Sequence, residues 1–425
     1  MTYQETLAHI FGLTRFGIRP GLERITTLLA RLGNPQQRVR TVSIAGTNGK
    51  GSTAAFLSSI LAAAGLKVGL FTSPHLISFT ERFLINGREI GEAEVTELAA
   101  EVLAVAPPET TFFEIVTAMA LHYFAREKVD LLVMEAGMGG RSDATNTADP
   151  LLSVLTPISY DHCEYLGDTL TAIAREKAGI IRKDRPVVSA GQESEAADVL
   201  ADAATAAGAR LYMAGRDFSA SWQGDDLVYH GLHTDLTDLR PGLFGRHQAG
   251  NAACALAAAE ILAAEGVASI PLQALRQGVA QAKWPGRMEL FAGPPPVLLD
   301  GAHNPAGSRA LAGSLADLPR QRLILVTGVM GDKDAAAILD PLLPLASRVF
   351  AVAAAMERAM TPHALAHLVA ERRIPCTVAG RVADGLSQAM ATAAADDLVL
   401  VCGSLFVVGE ARAWLLSRPC LQVRG

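Results

Sequence analysis

Seven consecutive residues near the start of the chain have the composition of a phosphate-binding loop: Gly46, Thr47, Asn48, Gly49, Lys50, Gly51 and Ser52. They follow an apolar segment of β type, 41–45, and precede a segment of helical type, 53–61. Backbone N–H groups at a helix N-terminus attract anions, and glycines let the backbone approach a polyphosphate closely. The ammonium of Lys50 would neutralise phosphate charge, and the hydroxyl of Ser52 would bind Mg²⁺.

The spacing of this loop differs from the usual pattern, which places a glycine five positions before the Gly-Lys pair. Ile44 occupies that position, and an additional glycine, Gly51, separates Lys50 from Ser52. A tight glycine-rich turn with a solvated lysine is therefore the alternative interpretation. The order of strand, glycine loop and helix favours phosphate binding.

A second glycine-rich segment, 135–146, follows a buried apolar run. Catalytic groups in doubly wound sheets lie beyond the carboxyl ends of strands, so Glu135 is a candidate Mg²⁺ ligand. The glycines after it would let the loop approach a substrate closely. The candidate substrate contacts in this loop are Gly139, Gly140, Arg141 and Asp143. A flexible surface loop with solvated charges is the alternative.

Two further polar residues follow apolar runs and are candidate metal ligands. Ser73 precedes a proline and could add a hydroxyl ligand to a second Mg²⁺, although a Ser-Pro pair alone indicates only a turn. His162 could supply a nitrogen ligand. Because Mg²⁺ prefers oxygen, a structural histidine is the more common interpretation of that residue.

One lysine lies in the last turn of an expected helix. The sequence predicts that this helix extends from Asp168, as its N-cap, to Gly179, and it contains Lys177. A solvated surface lysine is the ordinary interpretation. The functional alternative is a carbamylated lysine near metal and phosphate, which requires a depressed pKa because a neutral amine must attack CO₂.

Polar residues further along the chain could meet a nucleotide. Asn251 lies at the start of a long helix and could contact a base, with helix capping as the alternative. Arg287 follows a rigid Trp-Pro-Gly turn at a domain junction, from which a guanidinium could reach phosphates across a cleft. Asp300 could accept ribose hydroxyls, and His303 could face the cleft, unless both are simply turn residues.

Strand-like and helix-like segments alternate through most of the chain, which predicts a mostly parallel sheet covered on both faces by helices. Residues 209–245 break the alternation and predict an antiparallel ribbon. A proline-rich stretch, 284–296, predicts a domain linker. The alternating block after it predicts a compact Rossmann-like domain. We therefore expect a P-loop domain with a substrate site over 1–285 and a smaller α/β domain over 286–425.

The bulk composition limits the functional classes. The chain has 425 residues, of which 50% are apolar, and a net charge of −6, which argues against a general role on nucleic acids or membrane surfaces. No apolar run is long enough to span a bilayer, and the first residues lack the features of a signal peptide. Five scattered cysteines without a CxxC pattern fit buried thiols in a reducing cytosol. We expect a cytoplasmic monomer.

Taken together, these motifs closely resemble the folylpolyglutamate synthase/dihydrofolate synthase family of the Mur-ligase superfamily of ATP-dependent amide ligases. The matching elements occur in order along nearly the whole chain: Arg15-Phe16-Gly17, 46–52, 72–76, 111–114, 137–146, Asp161-His162, 175–180, His247-Gln248, 284–287, 300–305, 331–334 and 403–405. The loop at 46–52 alone indicates the superfamily, whereas the ordered set is specific to the folate branch. The 45 residues before Gly46 are also too few for the UDP-sugar domain of muramyl ligases.

The resemblance implies the fold and the reaction. A P-loop domain similar to the Mur-ligase central domain would hold ATP and the pterin or folate, and a C-terminal glutamate-ligase domain would follow. ATP would convert a pteroate or folate carboxylate into an acyl phosphate, which the amine of L-glutamate would attack to form an amide. The acceptor would be 7,8-dihydropteroate, a reduced folate, or both, and two Mg²⁺ ions would take part.

Residue roles follow from the same resemblance. Lys50 would bind ATP phosphates, and Ser52 would bind the first Mg²⁺. Glu135 would bridge the two ions, with Ser73 and His162 holding the second.

The remaining implied roles concern the nucleotide, the acceptor and the incoming glutamate. Lys177 would be carbamylated, and His303 would lie near the incoming glutamate. The implied ATP contacts are Asn251, Arg287 and Asp300. The implied neighbours of the pterin are Phe112, Phe113 and the loop Gly139–Asp143.

Other functions remain open at this point. A different Mur-superfamily amide ligase would use a UDP-linked acceptor. A P-loop switch or motor ATPase would hydrolyse ATP without forming an amide. A catalytically inactive nucleotide-binding protein is a third alternative, against which the intact acidic, histidine and lysine motifs argue.

Overall fold

A computed structural model describes residues 1–17, 19 and 21–420 of the chain, and of Arg15 and Phe16 it describes the backbone alone. The side chains of the expected Arg15-Phe16 element therefore lie outside the described residues. The β structure of the described residues consists of a large sheet, an antiparallel ribbon and a second, smaller sheet.

The large sheet contains the strands β1 (Thr41–Ala45), β2 (Val68–Phe71), β3 (Phe83–Ile85), β4 (Arg88–Glu89), β5 (Leu131–Glu135), β6 (Pro150–Leu155), β7 (Val187–Ser189) and β8 (Leu211–Met213). Their order across the sheet is β4-β3-β2-β5-β1-β6-β7-β8. The β2–β3 and β3–β4 pairs are antiparallel, and the pairs from β2 to β8 are parallel. The parallel strands therefore end at one edge of the sheet.

The helices that surround this sheet are α1 (Tyr3–Gly12), α2 (Glu23–Arg31), α3 (Lys50–Ala63), α4 (Glu92–Val105), α5 (Phe112–Arg126), α6 (Cys163–Leu166), α7 (Leu170–Lys177), α8 (Ser194–Ala206), α9 (Gln248–Ala264) and α10 (Leu272–Gln281). The cap of α7 differs from the prediction: the hydroxyl of Thr169, not Asp168, accepts the N–H of Ala172.

Helices cover both faces of the large sheet. Alternate residues of β5 enter different cores: Leu131 and Val133 pack with α3, α9 and α10, whereas Leu132 and Met134 pack with α1, α2, α4 and α5. Side chains alternate across a strand, so a strand buried on both faces is apolar at successive positions. This explains the continuous apolar runs that made the strands recognisable in the sequence.

The ribbon comprises β9 (Ser219–Gln223), β10 (Asp226–His230) and β11 (Asp235–Leu239), in the antiparallel order β11-β10-β9. Its apolar face, including Leu227 and Tyr229, packs in the same core as α9. The expected ribbon is thus present, but the segment 209–245 also contributes β8, which pairs in parallel with β7 of the large sheet.

The second sheet contains β12 (Glu289–Phe291), β13 (Val297–Leu299), β14 (Leu323–Thr327), β15 (Ala346–Ala353), β16 (Cys376–Arg381) and β17 (Leu398–Cys402). Their order is β12-β13-β17-β14-β15-β16; the β12–β13 pair is antiparallel, and the pairs from β13 to β16 are parallel. The surrounding helices are α11 (Pro305–Leu315), α12 (Ala335–Leu339), α13 (Pro362–Ala370), α14 (Val382–Thr392) and α15 (Leu405–Leu415).

These two α/β sheets confirm the predicted fold class. The stretch 284–296 is more than a linker, because it includes β12, which pairs with β13. None of the helices in the described part of the chain combines the length and hydropathy needed to cross a bilayer. Cys254 and Cys402 are buried free thiols, as expected, whereas the thiol of Cys163 is exposed.

Candidate active site

The candidate residues of the first domain are brought together by strand order. β2, β5, β1 and β6 are consecutive neighbours in the sheet, and all four run in the same direction. The residues that follow them are Thr72, Ala136, Gly46 and Thr156. Crevices beyond the carboxyl ends of parallel strands are where doubly wound proteins bind ligands.

The phosphate-binding loop joins β1 to α3 through two glycines in left-handed backbone. Gly46 has φ +150° and Gly49 has φ +85°, and a Cβ at Gly46 would overlap the side chain of Thr156. The backbone N–H groups of Thr47 and Asn48 both donate to the carbonyl of Pro157. The loop is thereby fixed to the segment after β6, and the N–H groups of the first turn of α3 remain for an anion.

The first turn of α3 carries the candidate phosphate and metal groups. Nζ of Lys50 donates to the carbonyl of Thr47 at 3.3 Å, and Ser52 is buried with its Oγ 3.5 Å from Nε2 of Gln248. Asn251 donates from Nδ2 to Oε1 of Gln248 at 2.8 Å. Asn251 also lies against Gly49, where any Cβ would overlap its side-chain oxygen. Asn251 therefore contacts the phosphate-binding loop itself.

The indole of Trp284 covers the outer side of the same turn. A Cβ at Gly51 would lie 2.6 Å from Nε1 of Trp284. The additional glycine, which departs from the usual loop pattern, is thus explained by the close approach of an aromatic ring.

Glu135 at the end of β5 is buried, and its Oε2 accepts the N–H of Ser73 at 3.4 Å. Burial raises the pKa of Glu135, while Lys50 and Arg287 act against that shift. Glu135 and Ser73 are therefore neighbours, and both are candidate metal ligands. Glu135 also lies within electrostatic range of Lys50.

The donor set at this edge fits Mg²⁺ bound together with phosphate. Among the described residues, no group of three or more His, Cys, Asp or Glu side chains converges as a metal site. Mg²⁺ commonly binds one or two carboxylates and completes its coordination with waters and substrate phosphates. Glu135 with the hydroxyls of Ser52 and Ser73 matches that pattern.

Lys177 is buried, which excludes the surface interpretation. Its side chain is 4% exposed, and Nζ donates to the carbonyl of Gly46 at 2.9 Å. Burial, together with the charge of Lys50, lowers the pKa of Lys177 to about 7. The amine therefore lies directly behind the phosphate-binding loop with a substantial neutral fraction at neutral pH.

Residues of the second sheet lie across a cleft from this edge. The carboxylate of Asp300 accepts the N–H groups of Met288 and Ala302, each at 2.9 Å. Arg287 lies against Gly301, where a Cβ would overlap the guanidinium. Burial lowers the pKa of Arg287, and the charges of Asp300 and Glu135 act against that shift. Arg287 thus reaches from the second domain toward the metal-ligand candidate of the first.

Asp161 connects the two sides of the cleft and was not assigned a role from the sequence. Its Oδ1 receives Nζ of Lys333 at 2.5 Å, and its Oδ2 receives Nδ2 of Asn304 at 3.1 Å. Nε2 of His303 lies 3.5 Å from Oδ2. Asn304 also donates to Oδ1 of Asn48 at 2.9 Å. The phosphate-binding loop and the second domain are therefore joined by direct hydrogen bonds.

The charge state of Asp161 follows from these partners. Burial would raise its pKa, but the hydrogen bond with His303 and the charge of Lys333 hold that pKa well below its usual range. His162, next along the chain, adopts left-handed backbone with φ +52°. Burial lowers the pKa of His162 to about 4, so its ring is neutral at pH 7, as a nitrogen ligand must be.

The glycine loop after Glu135 packs against α7. A Cβ at Gly140 would lie 2.8 Å from the carbonyl oxygens of Glu176 and Lys177. Asp143 is buried and accepts the N–H groups of Met138 and Thr145 at 2.8 and 3.0 Å. These contacts explain why the loop has a glycine at 140 and a buried aspartate at 143.

Other members of the same loop differ in exposure. The side chain of Arg141 is exposed, and its backbone N–H donates to Glu176. Gly139 has φ +72°, and a Cβ there would lie 2.9 Å from Cγ of Glu176. The side chain of Arg141 is thus available to a ligand.

An aromatic cluster adjoins this loop. α5 begins with a capping box in which Thr111 and Glu114 bond to each other's backbone, and this fixes Phe112 and Phe113 in its first turn. The Phe112 ring stacks on Phe11 with centroids 5.7 Å apart, and the Phe113 ring fills the space beside Gly137. Flat apolar rings therefore lie beside the glycine loop that follows Glu135.

Comparison with known proteins is consistent with this geometry. Residues 44–259 match the family described as "Mur ligase middle domain", and residues 286–405 match "Mur ligase, glutamate ligase domain". The folylpolyglutamate synthase of Lacticaseibacillus casei is 36% identical over 98% of this chain and 99% of that protein. The chain belongs to the folylpolyglutamate synthase/dihydrofolate synthase family of Mur ligases.

Two further comparisons agree with the family. A solved structure of Escherichia coli FolC in complex with DHPP and ADP superposes with a TM-score of 0.91, at 35% identity and 98% coverage of both chains. A probable bifunctional folylpolyglutamate synthase/dihydropteroate synthase of Halobacterium salinarum is 40% identical over 97% of this chain. The chain spans 51% of the length of that protein. As a family member, the protein is an ATP-dependent ligase with a nucleotide site.

Proposed function

We propose that this ligase couples L-glutamate to the carboxylate of 7,8-dihydropteroate, of a reduced folate, or of both. The names of its relatives and the DHPP and ADP bound in the E. coli structure support this proposal. The observation that carries it is the meeting of both domains at Asp161 and Asn48. ATP phosphates, an acceptor and an amine must come together, and this cleft joins the phosphate-binding loop to the second domain.

In the first step, the acceptor carboxylate would attack the terminal phosphate of ATP. Phosphoryl transfer depends on positioning and charge neutralisation more than on covalent catalysis by the protein. Lys50 and the N–H groups of α3 would hold the phosphates, and Arg287 would neutralise charge from the second domain. Asn251 would support the loop beside the nucleotide, and Asp300 would receive ribose hydroxyls.

Two Mg²⁺ ions belong to the same proposal. Ser52 would hold the first ion, Glu135 would bridge both, and Ser73 with His162 would hold the second. Bound Mg²⁺ neutralises phosphate charge and polarises the transferring group. The neutral ring of His162 and the hydrogen bond from the N–H of Ser73 to Glu135 support this assignment.

In the second step, the amine of glutamate would attack the acyl phosphate, and phosphate would leave. His303, whose Nδ1 lies 2.8 Å from the carbonyl of Gly301, would lie near the incoming amino acid. The pterin end of the acceptor would occupy the region of Phe112, Phe113 and the loop Gly139–Asp143. The aromatic cluster supports that placement, since a pterin ring stacks on aromatic faces.

Carbamylation of Lys177 is a further part of the proposal. Its support is the pKa of about 7, because the neutral amine is the form that reacts with CO₂. Intact-protein mass measurement in bicarbonate buffer, after trapping of the carbamate as a methyl ester, tests it. Lys177→Met should lose the added mass, and the exposed Lys183, as Lys183→Met, should not affect it.

The division of the chain and its assembly are also proposals. We place the domain boundary between Pro285 and Gly286; support comes from the second family match, which begins at residue 286, and from β12, which begins at Glu289. We propose a cytoplasmic monomer. Light scattering at micromolar concentration tests the monomer, and a dimer mass would contradict it.

The deciding experiment measures ADP release by purified protein with ATP, Mg²⁺ and L-glutamate. Dihydropteroate and tetrahydrofolate are compared as acceptors, and products are identified by mass. Glutamylated products from both acceptors would establish two activities. Product from only one acceptor would show which of the two activities the protein has. ADP release without any glutamylated product would contradict the proposed substrates.

A further inference from the structure

A buried cation lies at the end of the segment that joins β2 to β3. Arg82 is 1% exposed, and its Nε donates to Nδ1 of His75 at 2.8 Å. The carboxylates whose charges act on it are Glu81 and Glu135. Glu81 instead accepts backbone N–H groups of its own segment, and Glu135 accepts that of Ser73. Among the described residues, Arg82 forms no ion pair with a carboxylate.

His75, which accepts this hydrogen bond, has a second ring nitrogen that forms no hydrogen bond in the described structure. Nδ1 of His75 accepts the N–H of Arg82, so the proton of the neutral ring is on Nε2. His75 is 3% exposed, and its Nε2 is buried without a hydrogen-bond partner in the described structure. Buried donors and buried charges are strongly unfavourable unless they are paired. The His75–Arg82 pair therefore has the capacity to bind a group that accepts hydrogen bonds and carries negative charge.

The position of the pair indicates which group this is. The guanidinium carbon of Arg82 lies 5.4 Å from the Phe112 ring centroid and 5.7 Å from that of Phe79. The carbonyl of Arg82 accepts the N–H of Thr72, the residue after β2. The strand β5, which pairs with β2 in the large sheet, ends at Glu135. Arg82 thus lies between the aromatic cluster and the metal-ligand candidate.

This arrangement matches a ligand with a flat apolar part and a carboxylate. An acceptor that stacks on the aromatic cluster must direct its carboxylate toward the phosphate-binding loop to react. Arg82 contacts the Phe112 ring and is within electrostatic range of Glu135, and a planar guanidinium binds a carboxylate through paired hydrogen bonds. Because the Phe79 and Phe112 rings cover Arg82, the acceptor would replace part of that aromatic contact.

We propose that Arg82, oriented by His75, binds the carboxylate of the acceptor and holds it for attack on ATP, an inference that rests on the proposed function. One carboxylate oxygen forms the new bond to the γ-phosphorus. The bond from that phosphorus to the bridging oxygen breaks, and its electron pair leaves on ADP. Arg82 binds the other carboxylate oxygen and offsets the repulsion between the two anions. His75 acts as a positioning residue.

Acceptor binding by matched ligands tests the proposal. Titration calorimetry would compare 7,8-dihydropteroate with its carboxamide, on wild type, Arg82→Met and Arg88→Met. Arg88 is an exposed arginine of β4 on the same hairpin. Loss of a charge-assisted hydrogen bond corresponds to about a 10-fold or greater change in affinity. We expect Arg82→Met to reduce the carboxylate-over-carboxamide preference by at least that factor, and Arg88→Met to keep it.

Two results would overturn the proposal. One is an unchanged preference in Arg82→Met. The other is an equal weakening of both ligands, which would indicate a purely structural role. ADP affinity measured on each variant reports whether the first domain is folded. If Arg82→Met does not fold, Arg82→Lys replaces it, since lysine keeps the charge and loses the planar donors; a preference equal to that of wild type would again overturn the proposal.

The outcome is separable from that of the proposed function. If wild type forms glutamylated product while the preference in the Arg82 variants is unchanged, the carboxylate assignment alone is wrong. If wild type binds neither ligand and forms no product, the proposed substrates are wrong, and this inference fails with them. A rise in the acceptor KM with an unchanged ATP KM in Arg82→Lys would support the proposal.

Discussion

Replacement of Lys177 by methionine should change how the stability of the protein depends on pH. Lys177 is buried with a pKa of about 7, whereas a lysine in the unfolded chain titrates near about 10.4. Between these two values the unfolded chain binds more protons at this residue than the folded protein. Stability should therefore increase with pH in this range, and below pH 7 the cost of burying the charged amine is fully present.

The magnitude follows from the two pKa values. The slope approaches about 1.4 kcal/mol per pH unit where the folded lysine is neutral and the unfolded lysine is charged. At pH 7 the folded lysine is half protonated, so the slope there is about half as large. Integrated from pH 7 to pH 9, the contribution to the free energy of unfolding is about 2 kcal/mol. Methionine does not titrate, so the variant lacks this contribution.

Urea unfolding at pH 7, 8 and 9 in CO₂-free buffer provides the assay. The stability of wild type minus that of Lys177→Met should increase by about 2 kcal/mol over this range. Lys183→Met is the matched control, because Lys183 is exposed a few residues later, and its profile should follow wild type. Parallel profiles for wild type and Lys177→Met would refute the depressed pKa and, with it, the chemical basis for carbamylation.

Three other substitutions test separate parts of the site and the core. Gly46→Ala places a methyl group against Thr156 in left-handed backbone; ATP affinity measured by calorimetry should fall at least about 10-fold, and an unchanged affinity would contradict the close approach. Asp161→Asn leaves the ammonium of Lys333 without its charged partner; the free energy of unfolding at pH 7 should fall by about 3 kcal/mol. A second change, Lys333→Met, should recover part of that loss, and no recovery would argue against the pairing. Leu400→Ala removes a fully buried side chain of β17; urea unfolding should show a loss of about 2–5 kcal/mol, and a loss below this range would indicate that the core collapses around the cavity.

Strands buried on both faces were predictable from the sequence because burial makes them apolar at most of their positions. The apolar run before the glycine-rich segment 135–146 is observed as β5 (Leu131–Glu135), and the long helix expected at Asn251 is observed as α9 (Gln248–Ala264). Edge strands carry a weaker pattern. β16 (Cys376–Arg381) has largely half-buried or exposed side chains, and β12 is a short segment within a proline-rich stretch. Neither has the apolar periodicity on which strand prediction depends.

The site was predictable where one local motif contains its chemistry, and less so where the chemistry is shared between domains. The loop at 46–52 can be recognised in the sequence by its glycines. Asp161 is different, because its importance comes from Lys333 and Asn304, which lie far along the chain. The Arg82–His75 pair is also not evident from sequence, since ordinary arginines are exposed and only the structure shows its burial. A rare buried charge has no local sequence pattern.

The order of strands in the second sheet has a consequence for synthesis on the ribosome. β17 (Leu398–Cys402) lies between β13 and β14, although it is the last strand of the described chain to be made. Until β17 emerges, β13 and β14 each lack the neighbour that pairs with one of their two edges. The second domain therefore cannot complete its sheet until β17 has left the ribosome, and until then its apolar strands remain exposed to aggregation or chaperone binding.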